Sequence, residues 1–596
     1  MVERVRGDHS YNGLLMATLV LGAVGSAVGG ALLPGGVSLF GTTLTGAALG
    51  GAFGSIAGSF VDQALLGPLA GPSGQTRIEQ GPRLFDLKLS GSSEGAPLPR
   101  VYGRVRLPGQ LIWATRFKED VTVTTQTTGG GEAKGGKNVF DSPSSAGAQG
   151  KSETVKSIEY SYFANAAYVV CEGPITRVGR IWADGQELNQ SDYTIRVHRG
   201  DEDQNADGLI ASKEGGGDST PAYRGTAYVV FERMPLGRFG NRIPQLNFEV
   251  FRAVDDFEQT VKAVNLIPSA GEFVYDTQRV TRTEGTVTIP ENKHAFASGT
   301  DFSVAVDQLE AQLPVASKVS MLVAWFGTDL RIGECELRPG VEVPEKTTSE
   351  PWKVNGVTRA GAHVVSQNAG GPAYGGTPSD RGVIRAIENL KARGLAVTMY
   401  PFILMDVPED NELENPYDGT AGQPPYPWRG RITCDPAPGE PGSPDKTGAC
   451  ATQVAAFVGT AQPSDFAIVA GEIVYSGPAE WSFRRFILHQ AFLCQAAGGV
   501  DAFIVGSEMR GCTWLRSATS TYPFVTALVA LAADVKDVVG GGTKVTYGAD
   551  WTEFVPHNPG DGSGDLHFHL DPLWTSSDIA AVGIDVYWPL SRGRTH

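Results

Sequence analysis

The chain has 596 residues, 41% hydrophobic and 19% charged, which supplies apolar material for several cores and excludes general disorder. Its 49 Lys and Arg face 65 Asp and Glu, a net charge of −16. That is the wrong sign for a protein that grips phosphates over a broad surface, so sequence-specific nucleic acid binding is not expected. The 6 cysteines are scattered, with no CxxC pair, which argues against a disulfide scaffold or a structural zinc site. Glycine is in excess, 76 residues against an average of about 7%.

The glycines are densest at the start. From His9 to Val61 there is no Asp, Glu, Lys or Arg. Within that run Gly46, Gly50, Gly54 and Gly58 recur every four residues, and Thr18, Gly22, Ser26 and Gly30 form a second row. Four-residue spacing places each row on one helix face and lets a second helix approach closely. Two helices are predicted, about 14–33 and 42–61, within a glycine-rich apolar helical hairpin over 1–70. A secretory signal, a two-helix membrane anchor and a hairpin packed against copies of itself all fit this pattern.

Residues 71–260 read as all-β. Short alternating runs appear at Leu84–Leu89, Val101–Arg106, Leu111–Phe117, Tyr160–Cys171, Ile175–Trp182, Thr194–His198, Ala227–Glu232 and Gln245–Phe251, separated by turn residues. Residues 125–153 are rich in Gly, Ser and Thr and read as a mobile loop between two strands. Asp203, Asn205, Asp207 and Glu214, with Gly208 and Ile210, match the oxygen ligands and turn glycine of a calcium loop. The flanking helices of such a loop are missing, so a solvated acidic loop is the competing reading. Calcium is the one cofactor the sequence suggests.

A connecting segment is expected over 261–317, and from 318 onward strand and helix alternate. Strands are predicted at Val319–Gly327, Val364–Gln367, Ala396–Leu404, Val500–Ser507, Lys544–Gly548 and Ile579–Tyr587. Helices are predicted at about 380–393, 480–497, 522–539 and 571–577, the first capped by Ser379 or Asp380. This order implies a parallel sheet and favours a (β/α) TIM-like barrel over 318–596 with six strands visible. The fold class is therefore multi-domain α+β and α/β.

In such barrels chemistry sits at the strand ends. Asp406, Glu508, Asp550 and Asp585 follow four predicted strands, and Trp551, Tyr587 and Trp588 beside them are suited to stacking on a sugar ring. Paired carboxylates flanked by aromatic platforms are what glycosidic bond cleavage requires. The competing reading for each acid is that it caps a helix or binds backbone amides. His567 and His569 lack a locally spaced third metal ligand. Cys434 and Cys450 bracket a Pro/Gly-rich insertion that a disulfide would tether in an oxidising compartment.

Longer motifs carry a resemblance. Phe85-Asp86-Leu87, Glu94 through Arg104, Gly109 through Ala114, Tyr168 through Ile175, Pro221 through Gly225 and Asn241 through Gln245 resemble tail-tip hub proteins of long-tailed phages. Trp428 through Thr433, Gly506 through Gly511 and Gly583-Ile584-Asp585 resemble the glycoside-hydrolase-like barrel of gene transfer agent megatron baseplate proteins. The resemblance implies a homotrimeric hub at the virion tail tip or baseplate that closes the tail tube. It implies as partners the distal tail protein, a neighbouring hub protein, the tape measure protein, tail fibres, and the host envelope polysaccharide and membrane. It also implies host envelope penetration during DNA delivery, with Glu508 as acid/base at the end of the fourth strand and a nucleophile from a seventh strand. That seventh strand is not visible before His596, so a longer product is expected. The alternatives are a secreted glycoside hydrolase acting on cell-wall or capsule polysaccharide and a membrane-anchored envelope protein.

Overall fold

The structure, a computed structural model, describes residues 37–39, 42–44, 76–80, 97–128, 153–253, 256–268 and 270–587. The chain divides into two compact units, one of residues 1–85 with 119–161 and one of residues 86–118 with 162–596. In the first unit Val37–Leu39 pairs antiparallel with Thr42–Leu44. The expected second helix therefore does not begin at 42. Its first residues include the β-branched pair Thr42-Thr43, which fits a pleated strand better than a helix. The helix expected over 14–33 and the row Gly46, Gly50, Gly54 and Gly58 lie outside the described residues. Thr76–Gln80 runs parallel to the first part of a strand that spans Glu153–Glu172. Among the described residues no helix is long and apolar enough to cross a membrane.

The second unit opens with β structure, as the alternating pattern predicts. Thr226–Pro235 pairs antiparallel with Thr194–His198 on one side and with the 163–172 stretch on the other, where Gln110–Ala114 also joins. A second sheet orders Gly103–Pro108, Leu246–Arg252, Arg177–Ala183 and Gln186–Glu187. The rings of Tyr168 and Phe231 from the first sheet meet Phe248 from the second at 5.9 and 6.5 Å. Leu84–Leu89 lies outside the described residues.

The calcium reading does not hold here. Asp207 is buried, and its carboxylate accepts from Arg196 Nε at 2.7 Å, lies 3.0 Å from His198 Nε2 and caps Gly208–Lys213 through the Leu209 amide. Burial pushes that carboxyl up, but these hydrogen bonds outweigh it and hold the group at about 2. Glu214 accepts from Trp113 Nε1 at 2.7 Å. Asp203 and Asn205 point to solvent. The two carboxylates that would close a calcium cage are already committed to a salt bridge, a helix cap and an indole. The solvated-loop reading fails for Asp207 as well, since it is an internal anchor.

The carboxy-terminal part builds a parallel sheet. Six of its strands, β1 (Ala263–Leu266), β2 (Lys318–Gly327), β3 (Ala396–Met405), β4 (Ala502–Ser507), β5 (Lys544–Asp550) and β6 (Gly583–Asp585), are hydrogen-bonded in that order and parallel, and the short Leu337–Arg338 adds antiparallel to the end of β2. The six strands are not the six predicted. Ala263–Leu266 supplies the first from within the expected connector. Val364–Gln367 is not a barrel strand: His363–Val364 pairs with Gly340–Val341, and Gln367–Asn368 with Gly371–Pro372. The last strand shrinks from Ile579–Tyr587 to three residues. Crossover helices Asp380–Ala392, Phe483–Ala496 and Pro523–Val539 cover the sheet. Ser379 caps the first through the Gly382 amide, and Val383, Ala386, Ile387 and Leu390 face inward at helical spacing. Trp325 on β2 is buried against Phe486 of the second, with ring centroids 5.3 Å apart.

Candidate active site

The site forms where β4, β5 and β6 end. Glu508 follows β4 directly and is 6% exposed. Its backbone takes φ +52°, the left-handed region that L residues seldom occupy, at a cost of about 1–3 kcal/mol. Its amide donates to Gly548 O at 2.8 Å, which ties the turn to β5. The strained turn aims the carboxylate at a loop that follows β3. There Trp428 Nε1 donates to Glu508 Oε2 at 2.7 Å, and Arg429 Nη2 lies 3.1 Å from the same oxygen. Arg429 also donates to the Ser507 carbonyl and hydroxyl, both at 2.9 Å, and its guanidinium lies 3.9 Å from the Phe402 ring centroid. A side chain on Gly430 would collide with the Trp428 indole, so glycine is required for the loop to fold onto the site.

Burial pushes the Glu508 carboxyl above its ordinary value, with Asp585 and Asp550 adding to the rise, against the pull of Arg429 and Trp428. The net effect is a carboxyl inclined to keep its proton. Asp550 ends β5 and stands opposite Asp585 in the β5–β6 register. Asp550 Oδ1 accepts from the Thr552 amide at 2.9 Å and from the Thr552 hydroxyl. Tyr400 on β3 donates its hydroxyl to Asp585 Oδ2 at 2.5 Å. Beneath them Glu553 is fully buried and accepts from Thr513 Oγ1 at 2.6 Å, Tyr547 Oη at 2.8 Å and the Asp550 amide at 3.0 Å. The Met509 amide donates to the same Tyr547 hydroxyl at 2.9 Å. One buried acid thus links the turns after β4 and β5. Burial pushes its carboxyl up to about 7.

Trp428, Glu508, Arg510, Asp550, Trp551, Thr552 and Tyr587 line an open groove of about 420 Å³. Trp551 is partly exposed and Tyr587 is 74% exposed, as sugar-stacking platforms require. Trp588 lies outside the described residues. Asp406 does not line this groove. Its oxygens accept from Ser366 Oγ at 2.6 Å and the Ser366 amide at 2.9 Å, and one lies 2.6 Å from His363 Nε2. Of the four predicted acids, then, Glu508 and Asp550 line the groove, Asp585 stands beside Asp550, and Asp406 serves the loop over 363–366. Sequence reasoning missed Trp428, Arg429, Tyr400, Arg510 and Glu553. Trp428 lies 80 residues from Glu508 in the chain and Arg429 is its neighbour, so no local spacing links them to that acid.

His567 and His569 pack with His557 around Tyr522, whose ring centroid lies 5.9, 5.5 and 5.8 Å from theirs. Among the described residues no group of three His, Cys, Asp or Glu is set to hold a metal. Cys434 and Cys450 are free and buried.

A curled parallel sheet joined by crossover helices, with carboxylates and aromatic rings gathered at its carboxy ends, defines a TIM-barrel-like α/β domain. Residues 481–596 match the family model of the gene transfer agent TIM-barrel-like domain. Three solved structures are similar. A chain in the virion of a native gene transfer agent particle shares 36% identity over 36% of this chain and 40% of its own, with TM-score 0.20. The GH113 β-mannanase AaManA from Alicyclobacillus acidocaldarius in complex with ManMIm shares 16% over 49% of this chain and 54% of its own, with TM-score 0.23. A GH113 β-1,4-mannanase complex shares 16% over 40% and 45%, with TM-score 0.18. The similarity thus takes in about half or less of each of these chains. No curated protein matches.

Proposed function

We propose that this chain is a structural component of a gene transfer agent or tailed-phage particle, a hub at the tail tip or baseplate whose carboxy-terminal domain engages a host envelope glycan. The observation that carries the reading is the gene transfer agent TIM-barrel-like match over 481–596, because that segment contains Glu508, Asp550 and Asp585. In this reading Glu508 holds a proton for the leaving glycosidic oxygen, and an Asp at the next strand ends supplies the negative charge that an oxocarbenium-like transition state needs. Trp551 and Tyr587 hold the sugar rings. The β region supplies the contacts that assemble a homotrimer with the distal tail protein, neighbouring hub protein, tape measure protein and tail fibres, and the whole takes part in envelope penetration and DNA delivery.

Fractionation of purified particles tests the assignment. The chain is expected to co-purify with intact particles at fixed stoichiometry, and Glu508→Gln particles are expected to assemble normally, since that side chain serves the groove. Recovery of the chain only as a soluble monomer outside particles would overturn the structural role and leave a secreted glycoside hydrolase.

A further inference from the structure

Arg510 is a cation of the groove that no carboxylate among the described residues pairs with. It lines the groove beside Glu508 and Asp550. Its guanidinium lies 5.2 Å from the Trp428 ring centroid and 4.9 Å from that of Trp514, and Nη1 donates to Thr552 Oγ1 at 2.8 Å. Among the described residues no carboxylate stands within ion-pair distance of it. Arg429 differs in this respect, since its guanidinium is spent on Glu508 and Ser507. Two indoles and a threonine fix the Arg510 plane before any ligand arrives, so little rotamer freedom is lost on binding. Its remaining N–H donors suit a carboxylate, which a planar guanidinium grips in two parallel bonds.

The other ionisable side chains of the groove lining are the acids Glu508 and Asp550, together with the Tyr587 phenol, so Arg510 is the lining group that attracts a negative charge on a ligand. We infer that the glycan bound here carries a carboxylate, read by Arg510 at a sugar next to the cleavage point. The inference rests on the glycan reading of the groove and narrows it from sugars in general to acidic ones. Two sources share this chemistry: the uronic acids of capsule-type polysaccharides and the lactyl carboxylate of N-acetylmuramic acid in peptidoglycan.

The test is calorimetric binding to the full chain in a Glu508→Gln background, which removes turnover from the readout. The probes are a uronate oligosaccharide and a muramic-acid-containing glycan fragment, each beside its carboxyl-reduced counterpart. At least one acidic probe is expected to bind about tenfold or more tightly than its reduced form, as a charge-assisted bond allows. The arm that shows the preference identifies the source. Arg510→Gln is expected to erase the preference, with the acidic probe's affinity falling to that of its reduced counterpart, and Arg510→Lys to recover part of it, both in protein that remains folded. Equal affinity for acidic and reduced probes, or a preference that survives Arg510→Gln, would overturn the inference while the glycan reading stands. Binding of none of the four would overturn both.

Discussion

Asp406 follows β3 and Glu508 follows β4, each 6% exposed, yet the surrounding structure drives their carboxyls in opposite directions. Burial pushes both up. At Asp406 the hydrogen bonds from His363 and Ser366 outweigh it and hold the group below the ordinary carboxylate range. At Glu508 burial wins, helped by Asp585 and Asp550, although Arg429 and Trp428 pull the other way. Position at a strand end therefore does not make an acid catalytic. What separates the two is whether donors saturate the carboxylate, and whether the groove reaches it.

The strongest way to break this contrast is to remove the cation that opposes the Glu508 rise. Arg429→Met keeps an apolar stem over Phe402 but removes the cation beside Glu508 and the donors to the Ser507 carbonyl and hydroxyl in a buried site. Urea unfolding is expected to show a loss of about 3 kcal/mol. A loss below about 1 kcal/mol would mean that the pair contributes little to holding the turn.

A smaller effect is expected at the other strand end. Asp406→Asn loses a charged acceptor of three hydrogen bonds, and a cost of about 1–3 kcal/mol is expected near neutral pH. The sign of its pH dependence follows from the depressed carboxyl. The Asp406 contribution is present above the unfolded value of 3.8 and is lost as pH falls through the lower folded value. The stability difference between parent and Asp406→Asn is thus expected to narrow in acid. A difference that stays constant down to strongly acid pH would contradict the depressed assignment.

Glu553 sharpens the comparison with the opposite sign. Its folded value of about 7 lies above the unfolded 4.5, so its contribution is fully present below about 4.5 and is lost as pH rises through 7. Thermal melts from pH 4 to 8 are expected to show a downward slope in the parent that Glu553→Gln flattens. An unchanged slope would show that Glu553 titrates elsewhere.

Much of this contrast was legible in the sequence, and the part that was not has physical causes. An acid follows β4 and another ends β5, so Glu508 and Asp550 stand out, as do the long strands β2 and β3 and the capped helix at Asp380. β1 is only four residues, Ala-Val-Asn-Leu, and is a strand because the edge of β2 is there to pair with it. Val364–Gln367 is drawn instead into two short ladders outside that sheet, with Gly340–Val341 at its start and Gly371–Pro372 at its end. Trp428 and Arg429 reach Glu508 only through the fold of a long loop. At Asp207 local spacing imitated a calcium loop. Arg196 and His198 lie two apart on a strand just upstream, on one face, and that was the signal that the carboxylate already had partners.

The most direct test of the account is cleavage of a bacterial envelope glycan by the full chain, with the parent and Glu508→Gln measured side by side. The account predicts turnover by the parent and a loss of about a thousandfold or more in a variant that remains folded, because a positioned proton donor is removed. Equal rates in the two proteins, or no cleavage by either, would contradict it.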